Sequence, residues 1–162
     1  MTQLNRMSQR KAKPQSAPSE AVRISSPEPT IDGQLVSGNY FGLLGIRPAL
    51  GRVLEPADDR TPNGHPVVML SDEYWASRFG RAPSAIGRVI AISGVPFTVV
   101  GVTPPGFFGI EVGTAPNLFV PILMQPTVVP VLGNPPSLIT GQFRVLARLR
   151  PGFTAAQATA AL

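Results

Sequence analysis

Cysteine is absent from the 162 residues, which excludes disulfides, thiolate metal sites and thiol catalysis. The absence suits a reducing and an oxidising compartment equally. Histidine occurs once, at His65, in a Gly-Pro loop with Asp58 and Asp59 several residues upstream. No serine is spaced to complete a triad with it, so a structural or solvated histidine is the default. Neither G-x-G-x-x-G nor a P-loop occurs, and Gly42, Gly45, Gly51 and Gly109 read as turn glycines. The most apolar stretch, Leu118 to Gly133, is broken by Pro121, Pro126 and Pro130, so it cannot cross a membrane as one helix. Met1 to Thr30 has a basic start but no apolar segment behind it, so it is not a secretion signal as it stands.

What the chain does contain is turn chemistry. Nineteen prolines and sixteen glycines argue for short elements joined by stiff turns rather than long helices. An apolar fraction of 43% is that of an ordinary globular protein, and the length fits one domain with room for two lobes. The net charge of +5 is unevenly placed. Arg6, Arg10, Lys11, Lys13 and Arg23 face only Glu20 and Glu28 in the first thirty residues. A basic tail can hold polyanions by counterion release, which is the seed of a nucleic-acid reading. The default is a solvated, disordered tail over residues 1–31, since it carries no aromatics and no period of 2 or 3.6.

The organising stretch is Arg88 to Val102. Two β-branched runs flank Ser93-Gly94, a turn dipeptide, so a two-residue loop sets Ile92 opposite Val95 and Ile90 opposite Phe97. Val89, Ala91, Thr98 and Val100 make the other face apolar too, which predicts a hairpin covered on both faces, in the interior of a sheet. Around it, Gln34 to Ser37 reads as a strand, and Ser37 as the cap of a helix through Tyr40, Phe41, Leu43 and Leu44 that Gly45 closes. Pro66 to Leu70 is a buried strand. Ser71 caps the next helix, with Asp72 and Glu73 in its first turn, Trp75 and Phe79 on its packed face, and Gly80 at its end. Leu118 opens a strand followed by an extended connector. Phe143 to Leu149 alternates as a half-exposed strand, and Thr154 with Gln157 forms a capping box for a last helix.

No catalytic constellation emerges. Glu55, Asp58 and Asp59 could hold a hard cation, but their spacing lacks the alternating oxygens and terminal bidentate Glu of a calcium loop, so an acidic turn is the default. Tyr40/Phe41 and Trp75/Phe79 read as core rather than ligand cages. Arg144 and Arg148 share a strand face that could meet an acidic partner, with a solvated face as the default. No catalytic, cofactor-binding or metal residue is assigned, and no cofactor is called for.

Four stretches, in order, resemble one family. VSGNYFGLLGIRPALGRVLEPADD (36–59), VVMLSDEYWASRFG (67–80), IGRVIAISGVPFTVVGVTPPGFFG (86–109) and VLARLRPGFTAAQATAAL (145–162) resemble the MacB-like periplasmic core domain of FtsX/MacB-type ABC transporter permeases. The resemblance implies an α+β fold: a β-rich lobe over 32–125 with a central hairpin and short helices, a Pro-rich connector over 126–139, and the strand and helix of a partial second α/β lobe over 140–162. It implies a non-enzymatic extracytoplasmic domain at the periplasmic face of the cell membrane, coupling ATP-driven motion to substrate export or to partner proteins. Its partners would be the remaining permease segments, a separate ATPase subunit or domain, and periplasmic proteins. It would touch no specific nucleic acid, and the membrane only through transmembrane helices that this sequence does not include. The family's flanking membrane helices and half of its larger lobe have no counterpart here, so the chain is expected to be a truncated or fragmentary copy. The alternative is a cytoplasmic nucleic-acid-binding protein using the basic tail.

Overall fold

The computed structural model describes residues 31–111, 113–129, 144–149, 151–152 and 154–159. The tail and most of the expected connector lie outside them. The described residues form an α+β fold around a mixed six-stranded sheet in the order β1-β6-β3-β5-β2, with β4 also paired to β5. The strands are β1 (Gly33–Val36), β2 (Leu50–Gly51), β3 (Val67–Leu70), β4 (Val89–Ile92), β5 (Val95–Val102) and β6 (Leu118–Pro121). β1 runs parallel to β6, β6 antiparallel to β3, β3 parallel to β5, and β5 antiparallel to both β2 and β4.

Cores lie on both faces of the central strands. On one face Val68, Leu70, Phe97, Val99, Val102, Leu118 and Val120 are buried, with Trp75 and Phe79 packed against them. These last two belong to helix α2 (Asp72–Phe79), as their i, i+4 spacing predicts. On the other face Val36, Tyr40, Phe41, Leu54, Met69 and Phe119 pack together. Helix α1 (Tyr40–Leu44) supplies Tyr40 and Phe41, whose rings meet edge to face at 5.1 Å, while Phe41 meets Phe119 at 5.3 Å. Such pairs add to plain burial because the positive ring edge meets the negative face. The aromatic pairs are core, as expected.

Local chemistry explains the element ends. The Ser71 hydroxyl accepts from the Tyr74 amide at 3.1 Å, and Gly80 closes α2 at φ 57°. Ser93 and Gly94 both adopt positive φ, 51° and 78°, the pattern of a type I′ hairpin turn. The predicted register holds: Ile92 pairs with Val95 and Ile90 with Phe97. Between Val68 and Met69 the β3–β5 register shifts, leaving Val100 as a bulge. Just beyond it, Gly101 is obligatory, since a Cβ there would lie 1.9 Å from the Arg52 carbonyl oxygen.

Four expectations need correction. β5 is interior, but β4 is a rim strand, and Val89 is 62% exposed with Ala91, Pro96 and Thr98 also open. The reason is reach: the second core is built from β1, β3, β6 and α1 and stops short of β4. The cap of α1 is Asn39, not Ser37, and it makes no side-chain cap bond; the Ser37 hydroxyl instead donates to Asn39 Oδ1 at 2.7 Å. β6 is followed not by extended chain but by a 3₁₀ turn, Ile122–Met124, and helix α3 (Gln125–Val128), where Pro126 sits in the first turn and removes only an amide that needs no partner. Residues 144–149 form no strand and are exposed throughout, Val145 at 92%. Among the described residues no strand pairs with them, and alternation alone does not make a strand without a neighbour. The capping box does form: the Thr154 amide donates to Gln157 Oε1 at 2.8 Å and the Gln157 amide to Thr154 Oγ1 at 3.3 Å, opening helix α4 (Ala155–Thr159).

Candidate functional site: the acidic loop and its ion pairs

The acidic residues singled out in the sequence converge where the chain leaves β2. Pro56–Asp59 is a 3₁₀ turn with Glu55 as its cap, in a reciprocal capping box with Asp58. Arg52 meets Asp58 with both arms of its guanidinium, Nη1 to Oδ2 at 2.6 Å and Nη2 to Oδ1 at 2.8 Å. Asp58 also accepts from the Glu55 amide at 2.9 Å. Burial pushes the Asp58 carboxyl up, but the Arg52 hydrogen bonds, the Glu55 amide and the charges of Arg52 and His65 outweigh it and hold it below the ordinary carboxylate value. The same pairing raises the Arg52 guanidinium above its ordinary value.

Asp59 works differently. One oxygen accepts from the Gly38 amide at 3.1 Å and the other from the Leu123 amide at 3.0 Å. One carboxylate thus ties the β1–α1 turn to the turn after β6. Asn63, at φ 57°, strengthens the same junction: its amide donates to the Leu123 carbonyl at 3.0 Å, and its side-chain oxygen accepts from the Thr127 hydroxyl at 2.6 Å. His65 lies near enough for its charge to act on Asp58 but joins no nucleophile. Among the described residues, no three His, Cys, Asp or Glu side chains gather as metal ligands. The acidic turn is tied into the fold by these bonds.

A second ion pair was not legible in the sequence. Arg81, just past the α2 cap and at φ 59°, folds back onto Asp72 at 2.5 and 2.7 Å and lies 5.7 Å over the Trp75 ring. The Trp75 indole donates to the Ala82 carbonyl at 2.9 Å. Bonding to Asp72 raises the Arg81 guanidinium above its ordinary value. Nothing in a nine-residue separation across a glycine announces this pair; only the reversal at Gly80 brings it together. Arg144 and Arg148 also find partners, Glu111 at 3.6 Å and the Leu43 carbonyl at 2.6 Å.

Of the surface depressions, one of about 320 Å³ is lined by Gly38, Gly42, Leu43, Val53, Leu54 and Glu55, among others. It is shallow, with a single charged side chain at its edge. The Tyr40 hydroxyl does not line it; it is buried and makes no hydrogen bond of good geometry, although the Ile110 backbone lies close enough to oppose the upward push of burial on its pKa.

The molecule is therefore an α+β domain whose described charged groups are engaged chiefly with its own backbone and with each other. It matches the family model of the MacB-like periplasmic core domain over residues 5–162 and belongs to that family, the periplasmic domains of MacB/FtsX-like ABC transporter permeases. The match takes in residues set aside above as a tail. Among solved structures the chain is similar to the periplasmic region of MacB from Actinobacillus actinomycetemcomitans, at 20% identity and a TM-score of 0.49, covering 62% of this chain and 42% of that one. It is also similar to the extracellular domain of the noncanonic ABC-type transporter YknZ from Gram-positive bacteria, at 22% identity and 0.47, covering 60% and 46%. The chain thus spans less than half the length of either. No curated protein matches it. Among the described residues no helix is long and apolar enough to cross a membrane.

Proposed function

We propose that this chain serves as a non-catalytic extracytoplasmic element of an ABC transporter permease, relaying ATP-driven motion to an exported substrate or to a partner protein outside the membrane. Family membership over residues 5–162 carries the reading. The disposition of charge supports it: Asp58, Asp59 and Asp72 each hold the fold together, so these three carboxylates are spent on architecture. A relay needs a stiff body, and the sheet with a core on each face supplies one. Its partners on this reading are the other permease segments and an ATPase with a P-loop. No catalytic, metal or cofactor residue is assigned.

Compartment is the first test. In the native cell, protease added to spheroplasts should degrade the protein while cytoplasmic markers survive. Degradation only after lysis would place the chain inside and remove the reading.

A further inference from the structure

The rim strand β4 has properties that the permease reading does not use. Its two-residue turn makes Ile92–Val95 the closing hydrogen-bonded pair, and Ile90–Phe97 the next. The intervening residues, Val89 and Ala91, therefore turn their N–H and C=O groups away from β5. The neighbouring strand agrees: Thr98, opposite Val89, sends its amide the other way, to the Pro66 carbonyl at 2.9 Å, and Pro96, opposite Ala91, has no amide at all. Among the described residues nothing bonds to the outward groups of Val89 and Ala91. β4 also lacks what normally guards an edge, having no charge, no proline and no bulge within its four residues.

We propose that β4 pairs with β4 of a second copy, antiparallel, about a twofold axis through Ile90. In that register Val89 stands opposite Ala91 of the second copy and Ala91 opposite its Val89. These are the residues whose backbone groups point outward, so each pair exchanges hydrogen bonds in both directions. Size is matched, since the exposed valine lies beside an alanine. The half-buried Ile90 gains its own symmetry mate as cover, at the close spacing of a non-hydrogen-bonded pair. The one nearby charge, Arg88, falls opposite Ile92 rather than opposite itself. A strand that matches itself in backbone register, size and charge favours a second copy over a foreign peptide, for which the edge offers neither a pocket nor an anchoring charge.

The test is sedimentation equilibrium of the whole chain from about 10 to 500 μM, the range in which so short an interface would assemble. The mass should rise toward twice the monomer. Ala91→Pro removes an outward amide and no bond to β5, and Val89→Lys places a charge at a site already 62% exposed. Each should weaken association at least tenfold while circular dichroism is unchanged; if Ala91→Pro fails to fold, Val89→Lys alone decides. A chain monomeric throughout, or a dimer indifferent to the surviving variants, would overturn the proposal. So would a dimer lost instead on Val145→Ser with Leu149→Ser, which would assign the contact to the exposed C-terminal segment.

Discussion

Phe97 sits fully buried in the core beneath α2, where the hairpin register places it. Phe97→Ala should cost about 3–5 kcal/mol by urea denaturation, the lost transfer energy plus the cavity left behind. A loss below about 1 kcal/mol would contradict the packing described. Asp58 carries a different kind of stability. Its folded carboxyl titrates below the ordinary value of about 4, so its contribution is complete above that value and is lost as pH falls through the lower folded one. Asp58→Ala strands the Glu55 amide and the Arg52 guanidinium, and should cost about 2 kcal/mol at pH 7. The gap between wild type and variant should shrink as pH falls below about 4. A gap that stays constant into acid would mean that Asp58 is not the titrating anchor.

At the scale of elements, β5 and β4 separate what the hairpin reading had joined. β5 is bonded on both sides, to β3 and to β4 or β2, whereas β4 has one partner among the described residues. Amide exchange in dilute solution should be slowest across β5, and along β4 it should alternate, with Ile90 and Ile92 protected and Val89 and Ala91 fast. Uniform protection along β4 would show that its outer edge is covered. The elements legible in the sequence are those specified locally: Ser71 with Gly80 for α2, Ser93-Gly94 for the turn, Thr154 with Gln157 for α4. What stayed hidden depends on distant neighbours. Apolar residues at Val89 and Ala91 could not disclose that the second core stops short of them. The alternation of residues 144–149 could not disclose that no strand lies beside it among the described residues. The acidic loop was readable as a turn, yet its bonds from Asp59 to Gly38 and Leu123, and the Asp72–Arg81 pair, exist only once the chain has folded.

For the whole molecule, two accounts of the basic tail and apolar body compete, and they differ in what the chain should bring with it from the cell. A nucleic-acid binder would hold its partner by phosphate contacts, with affinity falling steeply between about 50 and 200 mM salt. A permease element would be held by packed protein surface, far less sensitive to screening over that range. Affinity isolation from detergent-solubilised native membranes at about 150 mM salt, read by mass spectrometry, sets them against each other directly. The account predicts co-isolation of a permease chain with apolar transmembrane helices and of an ATPase bearing a P-loop, largely unchanged when the salt is doubled. Recovery from the soluble fraction with nucleic acid, lost on nuclease treatment or on deletion of residues 1–30, would contradict it.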